Sequence, residues 1–136
     1  MKIDKKKIMV VDDMPTILEQ ARYVIGDKYF VIPAISGAQA LEILKTVKPD
    51  IILLDIYMID MDGYECLERI KANPQTKEIP VIIITTDSTI VSEAKGFSLG
   101  AADFIRKPFT HEIMFARLNM QLELAEYRKL IKSKDL

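Results

Sequence analysis

Residues Ile51-Ile52-Leu53-Leu54-Asp55 form an unbroken apolar run ending in a carboxylate, and two further segments of the 136-residue chain repeat the pattern. Ile8-Met9-Val10-Val11 leads into Asp12-Asp13, and Val81-Ile82-Ile83-Ile84 leads into Thr85-Thr86. A strand with one wet face alternates apolar and polar residues. These runs do not alternate, so both faces must be covered, as in a parallel sheet sandwiched between helices. Two weaker strands, Phe30-Val31-Ile32 and Phe104-Ile105, join them, and Pro33 and Pro108 are expected to limit their ladders.

Helical signals fall between the runs. Pro15 sits near a first turn ahead of Ile17, Leu18, Ala21, Val24 and Ile25, and Gly26 stops that helix. Ser36 with Gln39 forms a capping box ahead of Ala40, Leu41, Leu44 and Val47, and Pro49 bars continuation. Asp62 with Glu65 starts a third helix through Tyr64, Leu67 and Ile70 that ends before Pro74. From Ser88 to Leu99, Ile90, Val91, Ala94 and Phe97 make a stripe weakened by Gly96 and Gly100, a marginal helix. Thr110 caps a long last helix carrying Ile113, Leu118 and Leu122. Five strands alternating with five helices read as one α/β domain with a doubly wound parallel sheet and right-handed crossovers.

Composition narrows the function. With 49% apolar and 29% charged residues the chain folds, and 19 basic against 20 acidic residues leave no global field to grip a phosphate backbone, so direct nucleic-acid binding is disfavoured. The single cysteine, Cys66, excludes an internal disulfide and a multi-thiolate metal site. The single histidine, His111, reads as an exposed first-turn residue, and histidine-rich metal sites are hard to build. Nothing approaches the roughly 20 apolar residues that span a bilayer, and the segment from Lys2 to Lys7 is no secretory leader, so a cytoplasmic protein is expected.

In an open parallel sheet ligands gather at the carboxyl ends of the strands, where Asp12, Asp13, Asp55 and Thr85 all fall. Carboxylates crowded there repel by about 4 kcal/mol per pair at ~4 Å and an effective dielectric of ~20. Either a proton is retained or a hard cation is bound, and an oxygen-only donor set favours Mg²⁺ or Mn²⁺ over Zn²⁺. A carboxylate beside such a cation can attack phosphorus, and Lys107 and Thr85 could then hold the phosphoryl oxygens. Singly, each residue has an ordinary explanation: Asp13 as a helix cap, Thr85 as a strand terminator, Lys107 as a loop charge. Their coincidence on one edge is what points to chemistry.

The acidic pair Asp12-Asp13, Asp55 followed by Met61-Asp62-Gly63, Thr85, and Lys107-Pro108-Phe109 resemble, in order and spacing, the response-regulator receiver domains of two-component signalling, a CheY-like family. The resemblance spans about Lys6 to Leu124, with residues 1–124 as the receiver and 125–136 as an extension of the last helix toward an output domain. It implies a flavodoxin-like sheet ordered 2-1-3-4-5. It also implies that Asp55 accepts a phosphoryl group from a histidine kinase or phosphotransfer protein, the domain catalysing only its own phosphorylation and dephosphorylation. Asp13 and Asp55 would then bind Mg²⁺ directly, Asp12 through water and Tyr57 by its main-chain carbonyl, with Lys107 on the phosphoryl oxygens. Thr85 would shift toward the phosphate and Phe104 turn inward, reshaping the fourth helix, fifth strand and fifth helix, a face that could also serve a homodimer. Thr86 and Asp87 would control access to the phosphoryl group, and the Lys107-Pro108 bond would be cis.

Three positions depart from the family's commonest pattern: Ile59 replaces a proline, Thr86 a smaller residue and Phe104 a frequent tyrosine. They bear on rates and partner affinity, and leave the reaction type alone. Two other readings compete. A phosphatase of the haloacid dehalogenase type uses a strand-end Asp with Mg²⁺, but its motif separates two aspartates by one residue, whereas Asp12 and Asp13 are adjacent. A non-phosphorylated interaction module has no need of an intact acceptor, metal and lysine set. In the last helix Met120, Leu124, Tyr127 and Ile131 recur at the spacing of a coiled-coil seam, while the plainer reading is a single helix whose tail, Arg128 to Lys134, frays.

Overall fold

The computed structural model describes residues 5–86 and 89–134; Asp87 and Ser88 lie outside the described residues. In chain order the elements are β1 (Lys7–Val11), α1 (Pro15–Ile25), β2 (Phe30–Ala34), α2 (Gly37–Ile43), β3 (Ile51–Asp55), α3 (Gly63–Ala72), β4 (Val81–Thr85), α4 (Ile90–Ser98), β5 (Asp103–Arg106) and α5 (His111–Lys134). The strands form one parallel sheet ordered β2-β1-β3-β4-β5.

The unbroken apolar runs have a simple cause. Every residue of β3 and β4 is buried. Met9, Val11, Ile52, Leu54, Val81 and Ile83 point into a core closed by α2 and α3. Ile8, Val10, Ile51, Leu53, Ile82 and Ile84 point into a second core with Leu18, Ala21 and Ile25 of α1 and Met114 and Leu118 of α5. Successive side chains serve opposite cores, so neither set can be polar.

At the sheet edge the expectation for Pro33 is corrected: β2 continues through it to Ala34, with Pro33 opposite Val10. Ala34 turns its carbonyl toward β1, where it accepts from the Asp12 N–H (3.0 Å). Its neighbour Pro33 therefore turns its donor-less nitrogen away from the ladder, which an edge strand tolerates.

Helix starts follow the sequence signals. Ser36 accepts from the Gln39 N–H (3.0 Å), and the Gln39 side chain accepts from the Ile35 N–H (2.7 Å), one residue earlier than a standard capping box. Asp62 accepts from the Glu65 N–H (2.9 Å) and Thr110 from the Ile113 N–H (3.2 Å). Two expectations for helix faces are corrected. On α5 Leu118 is buried and Leu122 packs against the core as expected, joined by Met114 and Gln121, while Ile113 is exposed. On α4 the apolar stripe faces solvent, with Ile90 85% and Val91 80% exposed and Ala94 exposed beside them. The inward residue is Gly96, where a Cβ would lie 2.6 Å from the Phe104 ring and 2.7 Å from Ile83 Cδ1, so α4 approaches β4 and β5 through its smallest residue. At 100° per residue, Ile90, Val91 and Ala94 lie roughly half a turn away. The tail of α5 does not fray: the helix is continuous through Lys134, and Lys132 pairs with Glu78 (3.7 Å).

Gly63 fixes where α3 meets the end of β3. Its N–H donates to the Ile56 carbonyl (2.6 Å), and an added Cβ would meet the Asp55 carbonyl oxygen and lie 2.6 Å from Ile56 Cα. Both obstacles are backbone, so Gly63→Ala forces α3 off the strand end and is expected to destabilise by about 2 kcal/mol or more, read as a lower urea midpoint at unchanged slope.

Candidate functional site

Parallel strands bring their carboxyl ends to one edge, and the sequence places a polar residue at each. Asp12 and Asp13 follow β1, Asp55 and Thr85 end β3 and β4, and Lys107 follows β5. Asp12 and Asp55 are 2% and 7% exposed, and Asp13 is half-buried. One carboxylate oxygen from each of the three lies within 4.8 Å of the others.

Lys107 reaches into this cluster. Its Nζ lies 2.7 Å from Asp12 Oδ2 and 3.4 Å from Asp55 Oδ1, at a side chain only 11% exposed. The Lys107 N–H also donates to the Thr85 carbonyl (2.9 Å), tying the loop to the buried end of β4. The Lys107-Pro108 peptide bond is cis. The second Asp12 oxygen accepts from the Met14 N–H (3.0 Å), Asp13 Oδ2 accepts from the Ile59 N–H (3.0 Å), and Asp55 accepts from the Tyr57 N–H. Each carboxylate is thus held by a main-chain donor of the loop beside it, which sets its direction.

The charge does not balance. Three carboxylates face one ammonium, and the result appears at Asp55, whose carboxyl is raised from 3.8 to about 6. Burial is the main cause, Lys107 opposes it, and the Asp12 charge adds to it. A divalent cation fits this donor set: the ligands are all oxygen, three carboxylates share one ammonium, and the Asp55 carboxyl at the end of β3 is already raised by burial and by the Asp12 charge.

Asp55 and Lys107 also border a cavity of about 360 Å³ whose walls come from Met14, Ile17 and Gln20 at the start of α1, from Tyr57 and Thr86, and from Pro108 and Phe109. Met14, Ile17 and Gln20 were not read from the sequence as site residues, and their signal was their place directly after the acidic pair. Thr85, 1% exposed, also borders a second cavity of about 400 Å³ between α4 and α5, shared with Phe104 and Ile113. Phe104 is half-buried, its ring centroid 5.4 Å from that of Phe97 on α4. The structure therefore groups Asp12, Asp13 and Asp55 with Lys107 against Asp12 and Asp55, sets Tyr57 and Thr86 on the cavity wall, and places Phe104 with Thr85 on the second cavity. Asp87 lies outside the described residues. Cys66 and His111 take no part: burial pushes the Cys66 thiol up to about 12, and His111 packs its exposed ring on Phe115 (4.3 Å).

A carboxyl whose folded value exceeds its unfolded one keeps a proton that the unfolded chain has lost, so its contribution to stability falls as pH rises from about 4 through about 6. In chelator, Asp55→Asn is expected to leave the melting temperature unchanged near pH ~4, where both side chains are neutral, and to raise it by about 3 °C or more above pH ~7. Paired thermal scans across that range check it.

The sequence matches the response regulator receiver domain family over residues 8–119. It is 40% identical over 116 residues to a probable cyclic di-GMP phosphodiesterase of Vibrio cholerae serotype O1, covering 85% of this chain and 26% of that protein. It is 35% identical over 129 residues to the probable transcriptional regulator ycf27 of Cyanophora paradoxa, covering 93% of this chain and 52% of that one. The chain thus spans about a quarter to a half of the length of these curated relatives. Among solved structures, the chemotaxis protein CheY4 of Vibrio cholerae superposes with a TM-score of 0.83 at 28% identity, covering 88% of this chain and 100% of that one. With the sheet order and the family match agreeing, the chain belongs to the response-regulator receiver domains of two-component signalling.

Proposed function

We propose that this receiver is a phosphorylation-driven switch in which Asp55 accepts a phosphoryl group from a phosphohistidine of a sensor kinase or phosphotransfer protein. The observation that carries the reading is the setting of Asp55: a buried carboxylate at the mouth of a cavity, 3.4 Å from an ammonium and within 4.8 Å of two further carboxylates. In the transfer an Asp55 oxygen attacks phosphorus, the P–N bond of the donor breaks, and its electron pair returns to the imidazole. Lys107 turns from Asp12 to the phosphoryl oxygens, and Thr85, at the end of the neighbouring strand, supplies a hydroxyl. Thr86, on the cavity wall, and Asp87 limit access to the acyl phosphate.

Asp13 and Asp55 would hold Mg²⁺ or Mn²⁺ directly, with Asp12 contributing through water and Tyr57 by its carbonyl. When bound, the cation neutralises charge that Lys107 alone leaves uncompensated. The catalysis is confined to the domain's own phosphorylation and dephosphorylation. On phosphorylation Thr85 moves toward the phosphate and Phe104 turns inward, altering the α4-β5-α5 face that an output domain, a partner or a second receiver reads. The segment 125–136, of which residues up to Lys134 continue α5, leads toward that output, and the relatives' names suit a regulatory module serving enzymatic or DNA-binding outputs. No helix among the described residues is long and apolar enough to cross a membrane, and a cytoplasmic site of action agrees with a kinase donor.

Two outcomes test this reading. Acetyl phosphate with Mg²⁺ is expected to add one phosphoryl mass to the protein and none to Asp55→Asn, by intact-mass spectrometry; equal labelling of both would move the acceptor elsewhere. Mg²⁺ is expected to raise the melting temperature with saturation, and Asp13→Asn to blunt that rise. A melting temperature indifferent to tens of millimolar Mg²⁺ would remove the metal site.

A further inference from the structure

The loop between β3 and α3 carries the Ile59 N–H, which donates to Asp13 Oδ2 (3.0 Å). The start of this loop is fixed by packing, since Ile56 and Met58 are buried in the core closed by α2 and α3. Its outer part is not. Ile59 is 96% exposed and Asp60 is exposed beside it, so neither side chain anchors the stretch that touches Asp13. What position 59 supplies is its main-chain donor, which a proline would lack.

The anchor is polar. Asp60 reaches across to the first turn of α2, where Oδ1 accepts from the Gly37 N–H (3.3 Å) and Oδ2 from the Ala38 N–H (3.0 Å). These are donors that the helix itself cannot satisfy, and Ser36 meets the next one, on Gln39. A carboxylate with both oxygens engaged is fixed in direction as well as in distance. The partner it grips is firm, because Gly37 and Ala40 of α2 are buried. Gly37 also lets the loop come close: an added Cβ would lie 3.1 Å from Met61 Sδ and 3.2 Å from Met61 Cβ. Ile59 and Asp60 are joined by one planar peptide unit, so the grip on α2 is passed to the Ile59 N–H with few soft dihedrals between.

We propose that Asp60 is a positioning residue for the cation: by clamping the β3–α3 loop to α2 it keeps the Ile59 N–H on Asp13 and so holds the Asp13 carboxylate in its direction. Asp60 is not one of the three clustered carboxylates and acts through Ile59. The inference rests on the reading of Asp13 as a ligand of the cation. Such outer partners set ligand orientation, and their loss lowers metal affinity while every ligand remains in the chain.

Two measurements on the unphosphorylated chain test it. In chelator, solvent exchange of the Ile59 amide, followed by NMR, is expected to quicken about 10-fold in Asp60→Ala. With Mn²⁺ titrated in and the free ion read by electron spin resonance, Asp60→Ala should raise the dissociation constant about 3- to 10-fold. Asp60→Asn removes the same charge but keeps an acceptor oxygen, and should stay within about twofold of the unaltered chain. Ser36→Ala, which removes a cap from the same helix without touching the loop, should lower the melting temperature by about 4 °C and leave Mn²⁺ affinity within about twofold. Once Ile59→Pro has removed the donor, Asp60→Ala should add less than about twofold. Ile59 exchange unchanged in Asp60→Ala, Mn²⁺ affinity indifferent to it, equal losses in Asp60→Ala and Asp60→Asn, as large a loss in Ser36→Ala, or full additivity with Ile59→Pro would each overturn the proposal and leave the cation site standing. Absence of Mn²⁺ binding by the unaltered chain would instead remove the cation site, and this role with it.

Discussion

The excess of negative charge at the carboxyl edge of the sheet is the constraint on which the rest of this molecule turns. Folding brings three carboxylates together, two of them almost wholly buried, and supplies one ammonium, which sits closer to Asp12 than to Asp55. Removing charge from water is costly unless it is paired, and here the pairing is incomplete by design of the backbone rather than by accident of side chains. The N–H groups of Met14, Tyr57 and Ile59 each aim one carboxylate, so the three cannot simply swing apart. The strained group is Asp55, the one with a cavity in front of it.

That placement depends on packing far from the charges. A strand serving two cores cannot shift by one residue without turning its apolar side chains to the wrong faces, and β3 and β4 are buried along their whole length. Asp55 and Thr85 are therefore held at the edge by Leu54 and Ile84 behind them, which point to opposite cores. Gly63 completes the arrangement from the other side, letting α3 start within contact of the Asp55 backbone. Rigidity below the site means that a charge change at Asp55 cannot be absorbed by sliding the strand.

Much of this was legible in the sequence, and the exceptions share a physical cause. The buried strands announce themselves because a residue facing either core must be apolar, and Ser36, Asp62 and Thr110 announce helix starts because orphan N–H groups need an oxygen. The co-location of Asp12, Asp13 and Asp55 followed from strand ends alone. Pattern does not report which side of a helix meets the sheet. On α4 the apolar stripe and the single glycine were both visible, but the inward face was chosen by close approach to Phe104 and Ile83, which only Gly96 permits. Pro33 misled because its cost depends on whether the strand is an edge and which way its nitrogen points. The Lys107 contact with Asp12, and the α1 residues around the cavity, are set by side-chain reach across distant segments, which spacing does not encode.

The outward stripe of α4 is best understood together with how little holds that helix. Gly96 is its only buried residue among those described, and Phe104 packs against it from β5. The other tether is Tyr64 of α3, whose hydroxyl lies 3.1 Å from both the Ser92 carbonyl and its hydroxyl, while Lys95 stacks its ammonium over the ring at 4.4 Å. An element that buries only Gly96, with one ring contact from Phe97 to Phe104 and one polar latch, sits at the low-stability end of its fold. Small biases can therefore move it: the same ring that fills the space beside Gly96 belongs to the strand whose next loop carries Lys107, and Thr85 lies between them. A displacement of Lys107 or Thr85 has no deep core to move in α4, only Phe104 and the Tyr64 latch, and what it exposes or withdraws is Ile90, Val91 and Phe97. The apolar surface thus sits on a helix that buries only Gly96 among its described residues and can shift with little disturbance to either core.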